Sequence, residues 1–188
     1  MALHNYQGEH GRLPPAVVYG EDGTPLHSWR VLILPYIGQE ELYSEFRLDE
    51  PWDSPHNLAL LPRRPRAYAP PPGKMWKMPP DHTVCQVFVG RGAAFEGQEG
   101  LRLPEDFLKG TSNTFLVVEA GDPVPWTKPQ DLRYDPDGPL PDLRGLFKDG
   151  FRACLADCSR RFVTKEVNEA TLRWVISRNS PEPHTGDW

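Results

Sequence analysis

Proline is the feature that most limits what this chain can fold into, since 22 of its 188 residues are proline and a further 16 are glycine. Proline fixes one backbone dihedral angle and removes a hydrogen-bond donor, which disfavours long helices and broad central strands. Many of the prolines fall in residues 62–82 and 121–145. We therefore predict two long proline-rich loops around a small core, within a single domain over residues 1–188.

The charge balance argues against nucleic-acid binding. The net charge is −5, and the only basic cluster, Arg63, Arg64 and Arg66, lies among prolines and is interpreted as solvated loop. Nucleic-acid-binding domains usually carry a basic stripe or patch. We predict no nucleic-acid partner.

The beginning of the chain is ambiguous. No run of ~18–20 apolar residues that could span a membrane is present, and Met1 does not open a signal peptide. This alone indicates a cytoplasmic protein. Residues 1–8, however, look like the last turns of a helix that stops at Gly8, and such a short helix is marginal by itself. We predict that residues 1–8 are the end of a truncated N-terminal helix.

The apolar periodicity predicts further helices, each with a side-chain cap at its N-terminus. The last of them should close the fold, with residues 179–188 as a tail. We expect a helical hairpin or bent helix that Ser28 caps and that Pro35 kinks or divides on the way to Phe46, a short helix over 57–61 that Asp53 caps, and a C-terminal helix over 165–178 that Thr164 caps.

Short apolar runs predict a small antiparallel sheet packed by the N-terminal and C-terminal helices. The fold class is therefore α+β. The strands are expected over residues 84–89, 114–119, 151–156 and 160–163, with a turn at Asp157-Cys158-Ser159 between the last two.

Several unusual segments occur in an order that resembles a known family, the pilin-like domain of unknown function 1559. The segments span nearly the whole chain. They are Ala-Leu-His-Asn-Tyr at 2–6, Leu-Pro-Pro at 13–15, Ser-Trp-Arg-Val-Leu-Ile-Leu-Pro-Tyr at 28–36, Pro-Trp-Asp-Ser-Pro-His-Asn at 51–57, Gly-Thr-Ser-Asn-Thr at 110–114, Val-Glu-Ala at 118–120, Val-Pro-Trp-Thr-Lys-Pro at 124–129, Phe151, and Leu-Ala-Asp at 155–157.

The resemblance implies a non-enzymatic module of the cell envelope. Members of that family carry a type IV prepilin N-terminus, so the resemblance places Met1 inside a longer hydrophobic helix. It also implies an extracytoplasmic location, other pilin-like subunits or an exported protein as partners, and membrane attachment only through that N-terminal helix. If Met1 is the native start, the expectation becomes a cytoplasmic protein.

The chain departs from the family pattern at two positions. Asp157 matches the aspartate of a signature in which a histidine precedes an Asp-Gly pair by ten residues, but Phe147 replaces the histidine and Cys158 replaces the glycine. If the turn requires a positive φ, Cys158 bears a strain that glycine would avoid.

The acidic segment 131–142 is the best metal candidate in the sequence. It offers Asp131, Asp135, Asp137 and Asp142, and hard cations prefer several oxygen ligands from one loop. Secretion pseudopilins, which the family resembles in architecture, use calcium in a C-terminal loop. Calcium is the one cofactor left open here, against the alternative of a solvated acidic loop stiffened by prolines.

Trp52 and Trp126 lie in predicted loops and could form a ligand-binding face, for example for a carbohydrate. The alternative is that they pin loops to the core, because tryptophan buries a large area. Three cysteines, Cys85, Cys154 and Cys158, exclude a fully paired disulfide framework and leave one bridge plus one free thiol open.

No catalytic motif stands out. The histidines are scattered, and the chain lacks a nucleophile elbow, a phosphate-binding glycine loop and a zinc-protease helix motif. We predict a non-enzymatic structural or interaction module. The alternative is a ligand-binding head, for metal or carbohydrate, or an enzymatic head, displayed on a pilin-like stalk.

Overall fold

The computed structural model describes residues 1–71 and 78–180 and confirms the α+β class. Parts of the predicted loop 62–82 and tail 179–188, namely 72–77 and 181–188, lie outside the described residues. Among the described residues, no helix is long and apolar enough to cross a membrane.

Backbone contacts divide the chain into two compact units, whereas a single domain over 1–188 stays a prediction. Unit 1 comprises residues 1–83, 98–100 and 123–130, and unit 2 comprises residues 84–97, 101–122 and 131–188.

Unit 1 is built from short helices and one hairpin. Helix α1 ends at His10 because Gly11 adopts a left-handed conformation with φ of 75°, so the predicted stop at Gly8 is three residues early. The contacts described for α1 are to the 3-10 turn Leu34–Ile37, and its predicted packing on the sheet stays a prediction. The elements of this unit are α1 (Ala2–His10), β1 (Val17–Tyr19), β2 (Pro25–Ser28), α2 (Trp29–Leu32), α3 (Glu40–Glu45) and α4 (Pro55–Leu60).

Of the two helix caps predicted in unit 1, one is confirmed and the other lies one residue further along the chain. Ser28 accepts a hydrogen bond from the Arg30 amide and starts α2 as predicted, and Pro35 then lies in a 3-10 turn that divides the predicted bent helix. Helix α4 is capped by Ser54 instead of Asp53, since the Ser54 hydroxyl accepts from the amide of Asn57.

Unit 2 contains most of a four-stranded sheet with the order β3-β5-β7-β8. The pairs β5–β7 and β7–β8 are antiparallel, and β4 pairs in parallel with β6. The elements are β3 (His82–Gln86), β4 (Phe88–Val89), β5 (Phe115–Pro125), β6 (Leu132–Arg133), β7 (Gly150–Leu155), β8 (Arg160–Thr164) and α5 (Glu169–Ile176).

Two expectations for this region need correction. The predicted loop 121–145 is partly strand, because β5 continues to Pro125 and β6 lies within it. The Gln86 side-chain amide donates hydrogen bonds to the carbonyls of Ala120 and Asp122 in β5. Helix α5 starts later than predicted, since Asn168 caps it through the Thr171 amide in place of Thr164.

The core of unit 2 lies on one face of the sheet and is covered by α5. Phe151, Ala153 and Leu155 alternate along β7 and point into it, and Val175 and Ile176 of α5 pack there. The opposite face of the sheet carries the candidate site.

Candidate functional site

A groove of about 570 Å³ runs across the outer face of the four-stranded sheet. Every strand contributes to it, because side chains two residues apart on a strand share a face. We call it the outer groove, and its lining residues are Cys85, Val117, Val118, Glu119, Arg152, Ala153, Cys154, Arg160, Arg161 and Phe162.

The strand register arranges these side chains in two rows across the sheet. Val117 pairs with Cys154, which pairs with Arg160. The second row is Glu119, Arg152 and Phe162. One row therefore ends on β8 at a guanidinium, and the other ends on β8 at an aromatic ring.

An irregularity in β5 decides which residues face the groove. The register shifts between Phe115 and Val117, so that Phe115 lies opposite Leu155 while Val117 lies opposite Cys154. A bulge of this kind inserts one residue and changes the face on which the following side chains lie. Phe115 therefore belongs to the core, while Val117 and Glu119 line the groove.

Arg152 connects the groove to an aromatic pair. Its guanidinium carbon lies 4.6 Å from the centroid of the Phe147 ring, and this ring meets Phe162 edge to face at 5.6 Å. Arginine favours the faces of aromatic rings. Phe147 thus forms the rim of the groove beside Arg152.

Glu119 is the only carboxylate that lines the groove. Its Oε2 lies 4.0 Å from Nη1 of Arg152 and accepts no hydrogen bond from the described residues. Burial raises the pKa of Glu119, and the positive charge of Arg152 partly opposes that shift.

The Cys154 thiol is not activated as a nucleophile would be. Burial raises the pKa of Cys154, and the nearby Cys158 adds to the shift. A reactive cysteine needs a lowered pKa, because the thiolate is the attacking species. Cys85, Cys154 and Cys158 are all free of disulfide bonds in the structure, so the bridge that the sequence left open is not formed.

Cys158 has a φ of 69° and is the one described non-glycine residue with a positive φ. The turn between β7 and β8 therefore requires the left-handed conformation at Cys158. This confirms the strain predicted for Cys158, since a side chain with a Cβ disfavours that conformation.

The four aspartates of segment 131–142 are held in separate local arrangements. Asp131 accepts from the Val87 amide at 3.0 Å, and Asp135 accepts from the Asp137 amide. Asp137 pairs with Arg91, and Asp142 pairs with Arg144. Among residues 1–71 and 78–180, no three His, Cys, Asp or Glu side chains are grouped as metal ligands.

Arg173 of α5 orders the acidic loop from within. Its guanidinium donates to the carbonyl oxygens of Asp135, Pro136 and Gly138, the last at 2.7 Å, and to Glu169. Loop carbonyls that a calcium ion could use are thus bound to an internal cation. The calcium prediction gains no support from this geometry.

Trp126 does not form a ligand-binding face, which corrects that alternative. Its side chain is fully buried, its indole nitrogen donates to the Leu61 carbonyl at 2.9 Å, and its ring stacks on Tyr68. Trp52 is partly exposed below the ammonium of Lys128, whose Nζ lies 5.8 Å from the ring centroid. A ligand at Trp52 stays a prediction.

Lys109 is another titratable group with an unusual environment. Burial lowers its pKa to about 7. Its ammonium donates to the Trp174 carbonyl near the end of α5 and lies 4.0 Å from the Trp174 ring centroid. The Trp174 carbonyl thus provides the partly buried nitrogen of Lys109 with a hydrogen-bond acceptor, which gives Lys109 a structural role.

The groove was missed in the sequence because its arginines are dispersed along the chain. Arg152 precedes the turn at 157–159 and the pair Arg160-Arg161 follows it, so the three arginines do not form one basic run. The available signal was the hairpin itself: polar residues at alternate positions on both strands meet on one face once the register is known.

The comparison with known families gives a partial match. Residues 1–82 match the family model described as "Protein of unknown function (DUF1559)". No curated protein and no solved structure matches the chain. The resemblance of segments beyond residue 82 stays a prediction, and the outer groove lies in that part of the chain.

Proposed function

We propose that this chain is a non-enzymatic protein-interaction module of the cell envelope, similar to pilins and pseudopilins. The match over residues 1–82 and the order of the segments described above support this assignment. Its partners are then other pilin-like subunits or an exported protein. A hydrophobic N-terminal helix of the prepilin type would attach it to the membrane.

The observation that carries the interaction role is the composition of the outer groove. Arginine and aromatic residues are enriched at protein interfaces and dominate their binding energy. The groove and its rim bring together Arg152, Arg160 and Arg161 with the rings of Phe147 and Phe162. Phe162 is 46% exposed, so much of its ring is accessible to a partner.

The groove chemistry is that of binding. The thiol of Cys154 has a raised pKa, and the carboxylate of Glu119 lies near the guanidinium of Arg152. General acid–base or nucleophilic catalysis would need paired groups with matched pKa values. An enzymatic head is therefore the less favoured alternative.

Site-specific photo-crosslinking in the source cells tests the proposal. A photoreactive phenylalanine analogue replaces Phe162, and Tyr19 of β1, which is 45% exposed, provides the matched control position. We expect the protein in the envelope fraction and discrete protein adducts from position 162, without them from position 19. A protein confined to the soluble fraction, or equal adducts from both positions, would contradict the proposal.

A further inference from the structure

The outer groove carries a charge opposite to that of the chain. Among the described residues that line it, three are arginines and one, Glu119, is a carboxylate, whereas the whole protein has a net charge of −5. Among the described residues, Arg160 has no carboxylate within ion-pair distance in the structure. Such local inversion of charge favours an acidic partner and speeds its encounter.

The groove is bounded by an open strand. β8 is the last strand in the order β3-β5-β7-β8, so its outer edge pairs with no strand among the described residues. Four of its five residues are exposed. The backbone groups of an edge strand bind an added extended peptide, a mode that a polysaccharide or a free anion cannot use.

The register fixes the side chains that an added strand would meet. Arg160 ends one cross-strand row and Phe162 ends the other, two residues further along β8. Side chains of an added strand that lie two residues apart would extend these two rows. One position would meet a guanidinium and the next on that face would meet an aromatic ring.

We infer that the outer groove binds an extended acidic polypeptide segment, which adds as a strand to the edge of β8. The segment carries a carboxylate beside Arg160 and, two residues away, an apolar side chain beside Phe162. This inference rests on the proposed interaction function and names the chemistry of its partner.

Fluorescence anisotropy with the full chain tests the inference. The probe is a fluorescein-labelled octapeptide that repeats Glu-Thr-Leu-Thr, with Gln-Thr-Leu-Thr as its neutral match. We expect the acidic probe to bind at least about tenfold more tightly, with an affinity that falls as salt is added. Equal binding of both peptides would overturn the inference.

Three variants locate the site. Arg160→Glu should weaken binding by about tenfold, and Glu119→Gln should strengthen it by about threefold, because a repelling carboxylate is removed. Arg133→Glu makes the same charge change at an exposed position on β6 and should leave the affinity within about twofold. Equal losses from Arg133→Glu and Arg160→Glu would reduce the effect to net charge and overturn the inference.

A backbone-modified probe separates strand addition from anion binding. Methylation of alternate amides removes the donors that an added strand needs while leaving every carboxylate in place. We expect binding to be lost. Undiminished binding of the methylated peptide, or displacement of the probe by equimolar inorganic phosphate or an anionic polysaccharide, would identify a simple anion site and overturn strand addition.

The outcome is distinguishable from a failure of the proposed function. If the acidic probe fails to bind while Phe162 still yields envelope adducts, the module interacts with a partner of another chemistry. If the probe binds but the crosslinks at Phe162 are absent, the groove binds acidic peptides and the envelope role is wrong.

Discussion

The two compact units are stabilised by different kinds of buried side chain. In unit 1, short helices and loops are fixed by buried polar side chains, and among the described residues six of the nine buried polar or charged side chains belong to it. In unit 2, alternating apolar residues on a sheet pack beneath a helix. The buried polar side chains of unit 1 are His27, Ser28, Arg30, Asn57, Thr83 and Thr127.

Arg30 and Asn57 show how unit 1 depends on individual residues. The buried guanidinium of Arg30 donates to the carbonyls of Lys128 and Gln130 and to the Ser28 hydroxyl. The amide of Asn57 donates to three carbonyls and accepts from the Arg47 amide. No other side chain offers those donors in that geometry.

This difference explains what a sequence comparison can detect. A specific polar contact requires one residue type, whereas a core position accepts several apolar residues of similar volume. The family match covers residues 1–82, which is most of unit 1, and stops where the sheet begins.

Replacing Asn57 should have the largest effect. Asn57→Leu keeps the number of side-chain heavy atoms, but it adds volume at a fully buried site and leaves three carbonyls and one amide without their partner, so the free energy of unfolding should fall by about 3 kcal/mol or more. Urea unfolding followed by tryptophan fluorescence measures it. Asn5→Ala, at an exposed position of α1, should change it by less than about 0.5 kcal/mol.

A substitution in the core of unit 2 that nearly conserves side-chain volume should be tolerated. Leu155 is fully buried in the core, and Leu155→Met should cost less than about 1.5 kcal/mol in the same assay. If Leu155→Met lowers the free energy of unfolding as much as Asn57→Leu does, the proposed contrast between polar contacts in unit 1 and apolar packing in unit 2 is wrong.

Arg173 departs from the apolar packing of unit 2, because its polar side chain binds carbonyl oxygens of the acidic loop. Arg173→Met should lower the free energy of unfolding by about 2 kcal/mol, since three loop carbonyls lose a charged donor. Glu169→Gln removes only the exposed helix pair and should cost about 0.5 kcal/mol. The melting temperature of the unaltered protein should not respond to calcium, and a calcium-dependent rise would restore the metal prediction.

Cys158 offers a gain in stability. Cys158→Gly should raise the free energy of unfolding by about 1 kcal/mol, because glycine adopts the positive φ of this turn without strain. Cys158→Ala keeps the Cβ and should give no such gain. Equal behaviour of the two variants would assign the effect to the thiol and not to the backbone.

The smallest effect concerns pH. The raised pKa of Glu119 means that its ionisation costs more in the folded than in the unfolded state. The penalty is absent below about pH 4, grows as pH rises through the unfolded and then the folded pKa, and is complete above both. Glu119→Gln should therefore stabilise the protein at neutral pH and not at pH 3.5, as thermal unfolding at both pH values would show.

Local chemistry allowed several features to be predicted. Ser28 starts α2, and the hairpin strands 151–156 and 160–163 fall within one residue of β7 and β8, because caps and alternation are short-range signals. The predictions of caps at Asp53 and Thr164 were wrong, because Ser54 and Asn168 cap these helices instead. Nearby residues of similar capping chemistry compete for this role, and the tertiary structure selects one of them.

The sequence by itself determined the α+β class, the start of α2 at Ser28 and the hairpin of β7 and β8, because caps and apolar alternation depend on neighbours along the chain. Only the tertiary structure decided the face on which Val117 and Glu119 lie, the burial of Trp126 and the engagement of the acidic loop by Arg173. These features depend on strand register and packing, to which residues distant in sequence contribute. Arg173, for example, lies 35 residues from Gly138, whose carbonyl it binds.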